Sequence, residues 1–285
     1  MAGLIDKVAV IGAGTMGNGI AQTFASCGAQ VTLIDIDAKA LEKGMATIQG
    51  SLSRFVKKEK ISQAEADAAL ARIRAGGQLS EAKGAGLVVE AVVERADVKA
   101  KVFSELDRIC PPGTILSTNT SSISITSIAA STSRPAQVIG MHFMNPVPLM
   151  QLVEVIRGQE TSAETTARVV ACAQALGKLP VEASDYPGFV SNRVLMPMIN
   201  EAVYCLMEGV ATREGIDTVM KLGMNHPMGP LALADLIGLD VCLDILEVLH
   251  KGLGDPKYRP CPLLRRMVAA GRLGRKTGRG FFEYK

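Results

Sequence analysis

Short apolar runs alternate with longer helical stretches through the first two thirds of the chain. Runs rich in β-branched residues, bounded by polar residues or glycine, are typical of buried parallel strands. We predict strands at Lys7–Ile11, Gln30–Asp35, Gly86–Ala91, Thr114–Ser117, Val138–Phe143, Gln151–Ile156 and, at a sheet edge, Leu179–Glu182. Because strands and helices alternate, this part of the chain is predicted to form an α/β domain.

Helical periodicity occupies the intervals between these strands. Residues 38–76 predict two long helices, which leave the sheet as a helical excursion covering about residues 38–80. Further helices are predicted at Lys99–Ile109 and Ser162–Leu176.

The character of the chain changes at the break Ser184–Gly188. Beyond it we predict helices at Phe189–Glu208, Thr212–Leu222 and Pro230–Leu253, with one strand candidate at Gly280–Tyr284. The first of these helices is apolar nearly all round, which indicates burial on more than one side. The sequence thus predicts an α/β domain over residues 1–184 and an all-helical domain over residues 185–285.

The composition agrees with a globular protein that keeps its thiols reduced. Hydrophobic residues make up 48% of the 285 positions and charged residues 21%, which suits a packed core. A net charge of +3 is too small to indicate a nucleic-acid binder. The six cysteines form no CxxC pair or zinc-ligand spacing, and we find neither a leader pattern nor a membrane-spanning run. We expect a cytoplasmic protein with no nucleic-acid, membrane or metal partner.

A glycine-rich turn, GAGTMG, links the first strand to the following helix. Gly12 permits the tight turn, Gly14 lets the backbone approach a pyrophosphate, and Gly17 allows close packing of helix and strand. Asp35 ends the second strand, where a carboxylate accepts hydrogen bonds from an adenosine ribose and repels a 2′-phosphate. The context predicts a Rossmann-like dinucleotide-binding domain that prefers NAD to NADP. The alternative is a glycine turn without a ligand and a solvated Asp35.

The stretch GMHFMNPVPLMQLVEVI contains a single histidine, His142, and a single glutamate, Glu154, among apolar residues. Two consecutive strands joined by a proline loop can lie side by side, which would bring these side chains together. A carboxylate that orients an imidazole is the pattern of a general base. A buried structural histidine and a solvent-facing glutamate remain the alternative on pattern alone.

Three further polar segments are candidates for ligand binding. The loop Ser117–Ser122 follows a strand end and could bind a ligand, start a helix with Ser121 or Ser122 as N-cap, or do both. Asn192 opens the first helix of the second domain and is expected to face a cleft between domains, with simple capping as the alternative. The basic cluster Arg54–Lys60 is either a solvated helix face or a phosphate-binding surface.

Motifs spread over residues 7–285 resemble those of the 3-hydroxyacyl-CoA dehydrogenases. They are GAGTMG, VTLID, VVEAVVE, TNTSS, GMHFMNPVPLMQLVEVI, DYPGFVSNR, GPLALADLIGLD and GRKTGRGFFEY, in the order found in that family. The resemblance implies NAD-dependent interconversion of (S)-3-hydroxyacyl-CoA and 3-ketoacyl-CoA, with a short acyl chain. It also implies a homodimer formed through the helical domain.

The resemblance further implies roles for individual residues. His142 and Glu154 match the family's catalytic dyad, and Ser121 and Asn192 match residues that bind the reacting oxygen and orient the histidine. The cofactor contacts it implies are Gly12, Gly14, Thr15, Met16, Gly17, Asp35, Glu94, Lys99, Ser121 and Asn145. The acyl-CoA contacts it implies are Ser51, Arg54, Lys58, Ser121, His142 and Asn192.

Two other functions fit parts of the pattern. A dehydrogenase acting on a free hydroxy acid would use the same dyad but would not need the coenzyme A contacts. A non-catalytic NAD-binding protein would need no intact dyad, whereas His142, Glu154, Ser121 and Asn192 are all present.

Overall fold

The computed structural model describes residues 3–284, and these residues fall into two units that divide between Asp185 and Tyr186. The division follows Asp185, within the sequence break at residues 184–188. Each unit has its own hydrophobic core.

A single eight-stranded sheet forms the centre of the first unit, with the order β3-β2-β1-β4-β5-β6-β7-β8. The strands are β1 (Lys7–Ile11), β2 (Gln30–Ile34), β3 (Ile73–Gly76), β4 (Leu87–Glu90), β5 (Ile115–Thr118), β6 (Val138–Phe143), β7 (Leu152–Arg157) and β8 (Leu179–Ser184). The strands from β3 to β6 in this order pair in parallel, β7 runs antiparallel to β6, and β8 runs parallel to β7. The predicted α/β class and the edge position of the last strand are therefore confirmed.

The described part of the first unit contains six α-helices. They are α1 (Thr15–Ser26), α2 (Ala38–Lys57), α3 (Gln63–Ala71), α4 (Ala96–Ile109), α5 (Ile125–Ala129) and α6 (Ala163–Ala175). The helix α1 packs on β1 and β2, and α2 and α3 pack against α1 and against each other. Ser62 starts α3 with a capping box, since its hydroxyl accepts from the N–H of Glu65 while the Glu65 carboxylate accepts from the N–H of Ser62.

The position of β1 determines where a ligand can bind. β1 lies between β2 and β4, so the chain leaves β1 in one direction and later resumes beside it on the other. In such doubly wound sheets the ligand crevice lies at the carboxyl ends of the strands where the order reverses. The residues that follow β1 and β4 therefore border the expected cofactor site.

The predicted helical excursion is wrong at its end, because residues 73–76 form β3 rather than helix. β3 pairs only with β2 at the edge of the sheet, and its middle residues, Arg74 and Ala75, are exposed. A four-residue edge strand with such a pattern lacks the apolar run that marks the buried strands. The helix that the sequence analysis considered after Ser121 or Ser122 is α5, which begins later, at Ile125.

The second unit is helical. Its helices are α7 (Ser191–Met207), α8 (Arg213–Thr218), α9 (Pro230–Ile237), α10 (Leu239–Leu253) and α11 (Pro262–Ala269), with a single π-helical turn at Val219–Gly223. The predicted helix 230–253 is interrupted at Gly238, whose φ of +107° favours glycine and separates α9 from α10. The helix α11 was not predicted.

The segment after α11 is not the predicted strand. Residues 280–284 form only isolated bridges, and the buried carboxylate of Asp235 organises them. It accepts hydrogen bonds from the N–H groups of Phe281 and Phe282 and from the Tyr284 hydroxyl. The pKa of Tyr284 is raised to about 12, chiefly by burial and secondly by the hydrogen bond to Asp235. Among the described residues, no helix is long and apolar enough to cross a membrane.

Candidate active site

The glycine turn lies at the carboxyl end of β1, and its three glycines occupy different structural environments. Gly12 has a φ of +100°, and a Cβ on it would lie 2.6 Å from the Ala91 carbonyl oxygen. A Cβ on Gly17 would lie 1.7 Å from the Gly12 carbonyl oxygen, so α1 packs directly on the turn. A Cβ on Gly14 would meet no atom within 4 Å. Packing among the described residues therefore explains Gly12 and Gly17, whereas Gly14 leaves open backbone where a pyrophosphate could approach.

The turn also supplies a helix N-terminus. Thr15 and Met16 open α1, and no described side chain caps that end of the helix. The N–H groups of a first helical turn carry partial positive charge and bind anions. The start of α1 thus fits the phosphates of a dinucleotide.

Asp35 lies directly after β2 and is half-buried. Its Oδ2 accepts a hydrogen bond from the Ala13 N–H at 2.8 Å, and its Oδ1 accepts one from the Asp37 N–H at 2.9 Å. The carboxylate is therefore tied to the glycine turn, and each oxygen keeps a further lone pair for a ribose hydroxyl. The donors and acceptors of this edge fit NAD.

His142 and Glu154 face each other across two strands. They are directly paired in the antiparallel ladder of β6 and β7, which places both side chains on one face of the sheet. His142 Nδ1 lies 2.7 Å from Glu154 Oε2, and both residues are buried. An ionised carboxylate only accepts, so with Glu154 ionised Nδ1 would carry the proton of a neutral imidazole and Nε2 would not. The predicted proximity of the two side chains is confirmed.

The polar loop after β5 is tied to this pair. The Asn119 side-chain oxygen accepts a hydrogen bond from the Phe143 N–H at 2.9 Å, one residue from His142. The Ser121 N–H donates to Glu94 Oε1 at 2.8 Å. The predicted N-cap is wrong, because α5 begins at Ile125 and its cap is Ser124 rather than Ser121 or Ser122. Residues 119–124, the serine-rich loop, therefore precede the helix.

Glu94 and Lys99 form an ion pair at the carboxyl end of β4. Lys99 is buried, and its Nζ lies 3.3 Å from Glu94 Oε2 and 2.7 Å from Glu90 Oε1. Burial favours the neutral form of Glu94, but the Lys99 charge and hydrogen bonds from Thr120 and Ser121 outweigh it and lower the pKa of Glu94. The carboxylate is thus held ionised beside the loop. The sequence analysis missed Glu90, although a glutamate at the end of a buried apolar strand was a signal for it.

The other predicted residues occupy three places. Asn145 is exposed, two residues beyond β6. Asn192 belongs to the second unit, where it is the second residue of α7 and is buried. The predicted coenzyme A contacts lie on or directly after α2 and are Ser51, Arg54 and Lys58.

The spacing of the α2 residues puts them on one face. Positions three and four residues apart are neighbours on a helix surface, so Ser51, Arg54 and Lys58 form one stripe. Arg54 and Lys58 are exposed. Near the start of α2, a Cβ on Gly44 would lie 2.7 Å from the Ala13 carbonyl oxygen, so the helix packs on the glycine turn. The stripe begins about 10 Å farther along the same helix.

The described residues contain no cluster of side chains that resembles a metal site. Within residues 3–284, no group of three or more His, Cys, Asp or Glu side chains could hold a metal ion. All six cysteines are free thiols, and burial raises the pKa of Cys110 to about 11 and that of Cys242 to about 12.

Comparisons with known proteins agree with this geometry. The sequence model of the 3-hydroxyacyl-CoA dehydrogenase NAD binding domain matches residues 7–186, and that of the family's C-terminal domain matches residues 188–284. A probable 3-hydroxybutyryl-CoA dehydrogenase of Bacillus subtilis is 59% identical over 281 residues, covering 99% of this chain and 98% of the relative. A 3-hydroxybutyryl-CoA dehydrogenase of Bradyrhizobium diazoefficiens is 53% identical over 285 residues, covering 100% of this chain and 97% of the relative.

A solved structure gives the same result. The crystal structure of (S)-3-hydroxybutyryl-CoA dehydrogenase from Ralstonia eutropha superposes with a TM-score of 0.96 at 53% identity, covering 99% of each chain. The family's NAD binding domain and its C-terminal domain are thus both matched, one after the other along the chain. The chain is therefore an NAD-dependent oxidoreductase that belongs to the 3-hydroxyacyl-CoA dehydrogenase family.

Proposed function

We propose that this enzyme interconverts (S)-3-hydroxybutyryl-CoA and acetoacetyl-CoA. The observation that carries the proposal is the buried His142–Glu154 pair, with 2.7 Å between Nδ1 and Oε2. The pair lies on β6 and β7, and His142 is near the carboxyl end of β6, the side of the sheet where the cofactor is expected. The substrate follows from the close relatives named for 3-hydroxybutyryl-CoA, which match this chain over nearly its whole length.

His142 is the general base of the proposed reaction. Its Nε2 takes the proton of the 3-hydroxyl group on oxidation and returns a proton to the ketone oxygen on reduction. Glu154 holds the Nδ1–H and stabilises the imidazolium that forms. Bound NAD supplies the acceptor for the hydride that leaves C3. Ser121 and Asn192 are assigned to the reacting oxygen and to the orientation of His142 by the family resemblance.

The cofactor residues divide according to the part of NAD that they bind. Gly12, Gly14, Thr15, Met16 and Gly17 hold the pyrophosphate at the start of α1, and Asp35 holds the adenosine ribose. We assign the nicotinamide half to Glu94, Lys99, Ser121 and Asn145. The buried position of Lys99 between two carboxylates implies that it acts on the cofactor chiefly through Glu94.

The stripe on α2 is assigned to coenzyme A. Arg54 and Lys58 are cations that suit its phosphates, and Ser51 lies half-buried on the same face. A free hydroxy acid has no group that needs this stripe, so the stripe supports a thioester substrate.

We further propose a homodimer formed through the helical unit, in the cytoplasm. Several large apolar side chains of this unit are more than half exposed in the single chain, and they are Val194, Val210, Val219, Leu222 and Met224. Contiguous exposed apolar surface marks protein interfaces, and we propose that a second copy of the chain covers these side chains. Light scattering should give a mass near twice the 30.1 kDa of one chain, and a monomer at micromolar concentration would contradict the proposal.

The deciding experiment measures oxidation of NADH, and separately of NADPH, with acetoacetyl-CoA and with free acetoacetate. We expect rapid oxidation of NADH with the thioester only. Equal activity on the free acid would favour a hydroxy-acid dehydrogenase, and equal use of NADPH would remove the ribose role of Asp35. Binding of NADH without turnover of either substrate would favour a non-catalytic protein.

A further inference from the structure

A fully buried glutamate, Glu90, occupies the last position of β4. It is in register with Ile11, the residue before the glycine turn, on one side and with Thr118 of β5 on the other. Burying a carboxylate is costly unless donors and a cation surround it. The groups that surround Glu90 therefore indicate its purpose.

Three donors converge on this carboxylate. Oε1 accepts hydrogen bonds from Lys99 Nζ and from the Val92 N–H, both at 2.7 Å. Oε2 accepts one from the Thr118 hydroxyl at 2.7 Å. A glutamine would remove the negative charge beside Lys99 Nζ and would replace one of the two acceptor oxygens by a donor, so it disturbs the network while keeping the shape of the side chain.

One arm of the network runs from Glu90 through Lys99 to Glu94. Lys99 Nζ lies 3.3 Å from Glu94 Oε2. Glu94 Oε1 accepts hydrogen bonds from the Thr120 hydroxyl at 2.5 Å and from the Ser121 N–H at 2.8 Å. Lys99 thus fixes the position of the Glu94 carboxylate, which in turn holds the serine-rich loop.

The second arm runs through β5. The Thr118 hydroxyl oxygen accepts a hydrogen bond from the Thr120 N–H at 3.1 Å, and the main-chain oxygen of Glu90 accepts one from the Asn119 N–H at 2.7 Å. Both arms end on Thr120, the residue before Ser121. The loop is thereby held from two sides by one buried side chain.

We propose that Glu90 is a positioning residue for the reaction, which holds Ser121 beside His142 through Lys99 and Glu94 on one arm and Thr118 on the other. The inference rests on the proposed function, because that function assigns Ser121 to the reacting oxygen. Orientation of such a group matters strongly, since small displacements of positioning residues slow catalysis by one to two orders of magnitude.

The test compares Glu90→Gln with Asp107→Asn as a matched control. Asp107 pairs with Arg134 at 2.6 Å near the end of α4, and this pair is also poorly accessible to solvent but lies where the chain returns to the start of β5 rather than at the carboxyl end of β4. Hydrogen–deuterium exchange of residues 118–122 in the apo protein reads the loop without any substrate. Steady-state kinetics with NADH and acetoacetyl-CoA read kcat and KM.

We expect Glu90→Gln to speed amide exchange in residues 118–122 by roughly tenfold or more. We expect kcat to fall about 10- to 100-fold, with KM for the thioester changed less than about threefold. Asp107→Asn should lower thermal stability but leave both readouts near wild type. Unchanged exchange in Glu90→Gln, or a fall in kcat no larger than in the control, would overturn the proposal.

A second variant covers the case in which Glu90→Gln does not fold. Thr118→Val keeps the shape of the side chain and removes only one arm, so exchange in the loop should rise and kcat should fall by a smaller factor. Wild-type behaviour of Thr118→Val in both readouts would then refute the two-arm network. Failure of the proposed function is separable, because it appears as inactivity of the wild type while the exchange measurement still tests Glu90.

Discussion

The glycines of the cofactor turn allow binding and folding to be separated by two substitutions. Gly14→Ala adds a Cβ that meets no atom within 4 Å, whereas Gly17→Ala adds one 1.7 Å from the Gly12 carbonyl oxygen. The two changes are chemically identical and lie three residues apart. They should nevertheless act on different properties, because one glycine is required by packing and the other by the ligand.

The structure sets the size of each effect. A contact of 1.7 Å forces the turn or the start of α1 to move, so Gly17→Ala should cost about 2–4 kcal/mol, or roughly 5–15 °C in Tm. Gly14 has a φ of −63°, which alanine adopts without strain. The loss of glycine at an N-cap and the reduced entropy of the unfolded chain oppose each other, so Gly14→Ala should change stability by less than about 1 kcal/mol.

The assay combines thermal melting of the apo protein with NADH titration by fluorescence. Gly14→Ala should keep its Tm and raise the Kd for NADH by at least about tenfold, which corresponds to about 1.4 kcal/mol of binding free energy. Gly50→Ala is the control, because Gly50 lies in α2 and its Cβ would also meet open space. An unchanged Kd in a folded Gly14→Ala protein would refute the assignment of Gly14 to the pyrophosphate.

Three other predictions concern the dyad, the coenzyme A stripe and acid stability. Glu154→Gln leaves an amide facing His142 Nδ1, which favours the wrong tautomer of the imidazole. We therefore expect kcat to fall roughly 100- to 10,000-fold with unchanged NADH affinity. A kcat within threefold of wild type would remove Glu154 from the mechanism. Lys58→Ala should raise KM for acetoacetyl-CoA several-fold with little change in kcat. Lys43→Ala, in α2, is the control and should leave this KM unchanged. An equal rise of KM in both variants would indicate a general effect of surface charge. Burial opposes ionisation of Asp107, but hydrogen bonds from Ser133 and Arg134 outweigh it and lower its pKa below the ordinary 3.8. The contribution of Asp107 to stability is therefore complete above pH 3.8 and is lost as pH falls through its lower pKa in the folded protein. The Tm difference between wild type and Asp107→Asn should shrink below about pH 4. A Tm difference that stays constant with pH would contradict this account.

Elements with strong local patterns were predictable. The buried strands β1, β4 and β6 read as apolar runs, and the turn after β1 carries glycines at the spacing that phosphate binding requires. The errors fell where local signals were weak or ambiguous. β3 is a short edge strand that packs on one neighbour only, and the apolar sequence around Gly238 continues without a polar break although the chain turns there.

The serine-rich loop shows a different limit. Three serines precede α5, and any of them has the chemistry of an N-cap. Ser124 takes that role, and its hydroxyl accepts from the N–H of Ser127. Glu94, which lies 27 residues before Ser121, accepts from the Ser121 N–H, and this long-range contact is visible only in the tertiary structure.

The sequence alone determined the type of most strands and helices, the cofactor turn and the identity of His142 and Glu154 as candidates, because each depends on side chains close together along the chain. Only the tertiary structure decided that β6 and β7 pair in the register that places these two residues opposite each other. It also decided that Lys99 lies between Glu90 and Glu94 rather than in solvent. Register and burial arise from the order of the strands in the sheet, and a one-residue shift, which no local pattern forbids, would move Glu154 to the other face.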